Sequence, residues 1–158
     1  MEPAKNSDAN AEIILQVKDL FVEYRTLEGV VYAVNGMNFE LAKGHSLGIV
    51  GETGAGKTTT ALSILRLLPK QGAITKGQIL FENNDLVNEK ETEMRKIRGN
   101  KISMVFQDPM SSLNPVFTVK QQIAEAVKTH RKVNNAEAEN RAIEMLREVG
   151  ISEDRADN

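Results

Sequence analysis

The sequence contains no cysteine and no tryptophan, and aromatic residues make up only 4% of its 158 positions. Without cysteine, the chain can form no disulfide, no thiolate metal site and no cysteine nucleophile, which is compatible with a reducing compartment. Lys and Arg together number 20 against 22 Asp and Glu, for a formal net charge of −2. A chain without a basic excess and with few stacking rings is not expected to bind nucleic acid.

Long hydrophobic runs are missing as well. A membrane-spanning helix needs about 18 consecutive apolar residues, and the best candidate here is interrupted by Arg66 and Pro69. Residues 1–12 are polar, have none of the apolar core of a secretory signal, and are expected to form a disordered tail. We therefore expect any membrane contact to come through a partner protein.

What the sequence does contain is a phosphate-loop pattern. Residues 51–58 read GETGAGKT and match G-x-x-x-x-G-K-[ST] at each required position. The glycines let backbone N–H groups turn toward phosphate oxygens, Lys57 brings a catalytic charge to the β- and γ-phosphates, and the Thr58 hydroxyl can ligate Mg²⁺. The pattern predicts a site for a nucleoside triphosphate with Mg²⁺, formed by Gly51, Gly54, Ala55, Gly56, Lys57, Thr58 and Thr59.

The segments around the loop favour this interpretation, because a phosphate loop joins a buried strand to a helix. Residues 46–50 (SLGIV) form the apolar run of a strand covered on both faces. Residues 59–68 are apolar nearly all round, which predicts a largely buried helix. A second buried strand is predicted at residues 102–106, and it carries Gln107 and Asp108 at its C-terminal end, where ligands bind in open α/β sheets.

The N-terminal part is typical of antiparallel β-structure. Residues 13–24 and 30–41 are rich in Val, Ile, Phe and Tyr and flank a turn, which predicts a β-hairpin. Residues 71–76 are predicted to form a loop before a strand at residues 77–81. Tyr24 ends the first strand, where its ring can either stack on an adenine or be a half-exposed strand residue.

Two consecutive helices are predicted after the second buried strand. Thr118 and Gln121 have the spacing of a capping box, which marks the start of the first helix. The second helix covers residues 135–149 and is capped by Gly150. Because no strand separates them, we expect these helices to form a small lobe attached to the nucleotide-binding layer.

Two segments together resemble a known family. Residues 47–59 (LGIVGETGAGKTT) and 105–115 (VFQDPMSSLNP) are similar to the phosphate loop and the Q-loop of ABC transporter ATP-binding subunits of the oligopeptide, dipeptide and nickel importer subfamily. The resemblance covers residues 13–150 and implies an α/β fold. This fold has a P-loop NTPase core with an N-terminal antiparallel β-portion (residues 13–108), then the Q-loop and the start of a helical α-subdomain (residues 109–158).

The resemblance also implies roles and partners. Tyr24 falls at the family's A-loop aromatic, which stacks on adenine, and Gln107 at the Q-loop glutamine, which contacts Mg²⁺ and the attacking water. The implied function is ATP binding and hydrolysis that drives import of peptides, or of nickel, through a transmembrane permease. The implied location is the cytoplasmic face of the membrane, with the helical lobe against the permease and a second ATP-binding subunit, identical or different, completing a dimer.

The sequence departs from the family in two ways. His45 replaces a usual Glu, and Thr53, Ala55 and Thr58 replace common serines, which leaves the Mg²⁺-binding hydroxyl in place. In addition, the chain has no LSGGQ-like signature and no apolar strand ending in Asp-Glu (Walker B). We therefore expect the N-terminal half of an ATPase subunit, truncated before these motifs, that binds ATP without hydrolysing it and that is poorly stable or self-associates.

Two other functions fit parts of the pattern. A self-contained P-loop small-molecule kinase would use Asp108 as its Mg²⁺ ligand, although Gln107 is interposed and no Arg-rich lid is evident. A non-catalytic module would only dock on a permease, without nucleotide dependence. A GTPase is less well supported, since the sequence has no Asn-Lys-x-Asp motif.

Overall fold

A computed structural model describes residues 11–108 and 112–156. Residues 1–10 of the predicted tail and residues 109–111 of the predicted Q-loop segment lie outside the described residues. The chain divides into two compact units, Met1–Arg95 and Lys96–Asn158. Among the described residues, no helix has both the length and the apolar character needed to cross a membrane.

The first unit contains a four-stranded antiparallel sheet with the strand order β2-β1-β3-β4. Its strands are β1 (Ile13–Thr26), β2 (Gly29–Ala42), β3 (Gly72–Phe81) and β4 (Asn84–Asp85). The predicted hairpin is confirmed, with β1 and β2 joined through Leu27 and Glu28. The loop predicted at residues 71–76 is wrong, because β3 already begins at Gly72 and pairs there with Tyr24.

The core of this unit depends on a bulge in β1. Val17, Leu20 and Val22 are all buried, although strict alternation would put Val17 on the opposite face from the other two. Between Val17 and Leu20 the register shifts against both neighbouring strands, and Asp19 has a φ of 45°. The extra residue therefore returns Leu20 and Val22 to the face of Val17, where Ile79 of β3 is also buried.

Helix α1 (Lys57–Ile64) follows the phosphate loop and ends before the predicted residue 68. Arg66 has a left-handed φ of 51°. The N–H of Leu67 then donates to the carbonyl oxygen of Leu62 at 2.8 Å and that of Arg66 to Ser63 at 3.0 Å, a pairing that closes a helix C-terminus. The left-handed residue turns the chain away, and the Arg66 guanidinium donates to the carbonyl oxygens of Leu86 and Glu89.

The prediction of buried strands at residues 46–50 and 102–106 is wrong, because the described structure has no strand at either segment. Neither segment is paired as a strand there, apart from a single bridge between Ile102 and Arg98. Val50 is 82% exposed and Val105 is 87% exposed. A buried strand needs neighbours for its backbone N–H and C=O groups, and apolar runs predict burial only when such neighbours are present.

The remaining helices are α2 (Glu91–Ile97), α3 (Val119–His130), α4 (Asn135–Glu148) and α5 (Glu153–Ala156). The predicted capping box is confirmed at the start of α3, where the Thr118 side chain accepts from the Gln121 N–H and the Gln121 side chain accepts from the Thr118 N–H. Gly150, with a φ of 80°, closes α4 as predicted. Helices α3 and α4 pack through Ala124, Ala138 and Ala142, whose small side chains allow close approach.

Candidate phosphate-binding site

The phosphate loop forms a tight turn ahead of α1. The N–H of Ala55 donates to the carbonyl oxygen of Glu52 at 3.1 Å, and Gly54 and Gly56 have φ values of 85° and 81°. Gly56 is the N-cap of α1, with no capping side-chain hydrogen bond and no acidic residue in the first turn of the described helix. The N–H groups of this turn and the positive end of the helix dipole are therefore suited to an anion.

Gly56 is required by position as well as by conformation. It is buried against β2, where a Cβ would overlap the carbonyl oxygen of Ala33 and lie 3.2 Å from Val34 Cγ2. A Cβ at Gly54 would meet no atom within 4 Å, so only its left-handed conformation favours glycine there. The loop thus packs tightly against β2 at Gly56, whereas the space beside Gly54 is open.

Lys57 spans the loop from inside the first turn of α1. Its Nζ donates to the carbonyl oxygen of Gly51 at 2.5 Å and to that of Glu52 at 2.8 Å. An ammonium group has three N–H donors, so one donor is left after the two loop bonds. The charge is therefore held beside the N–H groups that the anion would contact.

The threonines after Lys57 face in different directions. Thr58 is exposed, and its hydroxyl oxygen is a ligand suited to a hard cation such as Mg²⁺. Thr60 is fully buried, and its Oγ1 donates to the carbonyl oxygen of Gly56 at 2.9 Å, which ties the helix back to the loop. Sequence reasoning missed Thr60, although a threonine four residues after a helix N-cap has the spacing of such a bond.

Tyr24 lies beside the phosphate-loop helix. Its Oη is 3.3 Å from Oγ1 of Thr59, and its ring is half-buried. The ring lies across Gly72, its cross-strand partner in β3, where a Cβ would come within 2.7 Å of Tyr24 Cε1. The fold thus brings Tyr24 together with the predicted cradle, whereas its role toward a base stays a prediction.

Gln107 and Asp108 are exposed residues of the second unit. The predicted contacts of Gln107 with Mg²⁺ and water therefore stay predictions. Within residues 11–108 and 112–156, no group of three or more His, Asp or Glu side chains could hold a metal ion.

A family model described as ABC transporter matches residues 34–158. The chain is 51% identical to a probable peptide ABC transporter ATP-binding protein of Sinorhizobium fredii, over 93% of this chain and 44% of that protein. It is 48% identical to the Bacillus subtilis oligopeptide transport ATP-binding protein OppD, over 87% of this chain and 39% of that protein. The chain thus spans less than half the length of these curated relatives.

Solved structures are similar as well. A dimeric ATP-binding cassette in a post-hydrolysis state, bound to ADP and Pi, matches with a TM-score of 0.77 at 25% identity. The match covers 92% of this chain and 61% of the cassette. The fold predicted from the sequence, a partial ATP-binding cassette of the α/β class, is thereby confirmed.

Proposed function

The chain belongs to the ABC transporter family, and on that basis we propose that it binds ATP with Mg²⁺ at residues 51–59 as part of a transport ATPase. The observation that carries the proposal is the uncapped first turn of α1, with the Lys57 ammonium held beside it at Gly51 and Glu52. A triphosphate supplies the negative charge and the acceptor oxygens that this arrangement can pair.

Each residue of the loop has a distinct task toward the triphosphate. The N–H groups of Gly54 to Thr59 surround phosphate oxygens, for which the Ala55 N–H must give up its bond to the Glu52 carbonyl oxygen. Lys57 stabilises the charge that develops on the γ-phosphate. Thr58 offers its exposed hydroxyl to Mg²⁺. When bound, Mg²⁺ neutralises charge on the β- and γ-phosphates.

Two residues outside the loop also have roles toward the nucleotide. Tyr24 stacks on the base, which its location beside Thr59 supports. Gln107 orients the attacking water and contacts Mg²⁺ through its side-chain amide, which adds no charge next to the triphosphate. For Gln107 the support comes from its motif, FQDPMSSLNP at residues 106–115.

The transported cargo is a peptide, and the partners are transmembrane permease subunits and a second ATP-binding subunit. The support for peptides is that similar proteins are named for peptide, oligopeptide and dipeptide transport. The support for a dimer is that a similar cassette is dimeric. Such a subunit acts on the cytoplasmic face of the membrane, where ATP is available.

The test is calorimetric titration with Mg-ATP and with inorganic triphosphate. Lys57→Ala should lower the affinity for each of these two ligands by about tenfold or more, because a charge-assisted contact to phosphate is lost. Lys43→Ala is the matched control, since Lys43 is an exposed lysine of the same unit whose partner is Glu12. Binding that is absent in the parent, or equal in the Lys57→Ala protein, would overturn the proposal.

A further inference from the structure

The contact between Tyr24 and Gly72 is closer than any side chain at position 72 would allow. Tyr24 and Gly72 are paired residues of β1 and β3, and a Cβ on Gly72 would lie 2.7 Å from Cε1 and 3.1 Å from Cδ1 of the ring. The same Cβ would lie 3.4 Å from Cβ of Leu68, an ordinary contact, so the overlap with the ring is the one that has to be relieved. A methyl group at position 72 must therefore displace the ring.

The other end of the ring is fixed by a hydrogen bond. The Tyr24 hydroxyl lies 3.3 Å from Thr59 Oγ1, which is a long hydrogen bond for two hydroxyl groups. Thr59 is the third residue of α1, in the turn that the phosphates would contact. A small displacement of the ring would therefore break its link to the phosphate-loop helix.

We infer that Gly72 and Thr59 are positioning residues that set the orientation of the Tyr24 ring for stacking on the nucleotide base. Gly72 supports one side of the ring through its missing side chain, and Thr59 holds the hydroxyl. Neither side chain needs to touch the base. The inference rests on the proposed function, because it concerns the base of a nucleotide whose triphosphate lies in the loop.

A purely structural reason for the contact also exists, since an aromatic ring that covers a cross-strand glycine stabilises a sheet. The two reasons differ in what they predict for ligands. Loss of sheet stability would weaken ATP and inorganic triphosphate alike, because both need a folded loop. Loss of ring orientation would weaken ATP alone, because inorganic triphosphate has no base to stack.

The experiment titrates Mg-ATP and Mg-triphosphate into the parent and three variants of the protein. Tyr24→Ala should lower the affinity for Mg-ATP by about fivefold or more, which is the effect expected when one stacked base loses its aromatic partner. Gly72→Ala should lower the affinity for Mg-ATP by about threefold or more, because a displaced ring stacks less well on the base. Triphosphate affinity should be unchanged in both. Combined with Tyr24→Ala, Gly72→Ala should have no further effect, because no ring remains to be displaced.

The inference is overturned if Gly72→Ala lowers the affinity for both ligands equally or lowers neither affinity. It is also overturned if Gly72→Ala lowers the ATP affinity by the same factor in the parent and in the Tyr24→Ala protein. If Gly72→Ala does not fold, Tyr24→Phe decides, since it keeps the ring and removes only the bond to Thr59. An ATP affinity equal to that of the parent in Tyr24→Phe then refutes the inference. Failure of the parent to bind triphosphate would instead refute the proposed function.

Discussion

A methyl group at position 56 is expected to destabilise the protein by about 3 kcal/mol. The left-handed φ of 81° costs an alanine about 1–2 kcal/mol relative to glycine. The added Cβ would also overlap the carbonyl oxygen of Ala33, a backbone atom that cannot rotate away, and overpacking of this kind costs about 1–3 kcal/mol. The two terms act together because the conformation and the contact occur at the same residue.

Two other glycines make it possible to measure the cost of the left-handed backbone separately from the cost of the steric overlap. Gly44 and Gly54 have φ values of 75° and 85°, and a Cβ on either would meet no atom within 4 Å. Each alanine variant should therefore lose only the conformational part, about 1–2 kcal/mol. Gly54 lies in the phosphate loop and Gly44 outside it, so the pair also separates an effect on the loop from an effect on the chain in general.

The assay is urea denaturation of the parent and the three alanine variants, with triphosphate titrations on each. Gly56→Ala should have the lowest free energy of unfolding and the weakest triphosphate binding, because the loop must move off β2. Gly44→Ala should bind triphosphate as the parent does. If Gly56→Ala is no less stable than Gly44→Ala, the seating of the loop on Ala33 is refuted.

Three further outcomes are expected. Thr60→Val, which keeps the shape but removes the bond to the Gly56 carbonyl, should lower the free energy of unfolding by about 1 kcal/mol in urea denaturation; an unchanged midpoint would contradict the role given to Thr60. The purified 158-residue chain should bind Mg-ATP but release no phosphate above the Lys57→Ala blank, since its sequence has no Asp-Glu pair after an apolar strand to act as general base. Turnover above that blank would favour the kinase alternative. The same chain should self-associate in sedimentation velocity, because Val50 and Val105 are exposed in apolar segments that form no strand; a monomer with a sharp unfolding transition would argue against this.

The features that sequence predicted correctly depend on neighbours along the chain. The capping box at Thr118 and Gln121 and the closure of α4 at Gly150 each involve residues only a few positions apart. The start of α1 directly after the glycine-rich loop is similar, because the loop and the first turn of the helix form one continuous segment. Local chemistry decides such features, so the sequence pattern is sufficient to predict them.

The features that sequence missed depend on distant segments. Residues 46–50 are apolar enough for a buried strand, but pairing is decided by whether another strand lies alongside. Strand β3 begins at Gly72 because β1 pairs with it there, which overrides the loop-like sequence of residues 71–76. The left-handed Arg66 that ends α1 is equally hidden, since left-handed residues are usually Gly or Asn.

The antiparallel sheet supplies support for both ends of the proposed nucleotide site. Ala33 of β2 fixes the phosphate loop at Gly56, while Tyr24 of β1 contacts the helix and Gly72 of β3. These strands are adjacent in one sheet, in the order β2-β1-β3. In the proposed site, strand pairing would therefore set the distance between a base stacked on Tyr24 and a triphosphate in the loop. Slippage of β1 by one residue would turn Tyr24 to the opposite face, so the register that buries Val22 would also determine where a base could stack on Tyr24.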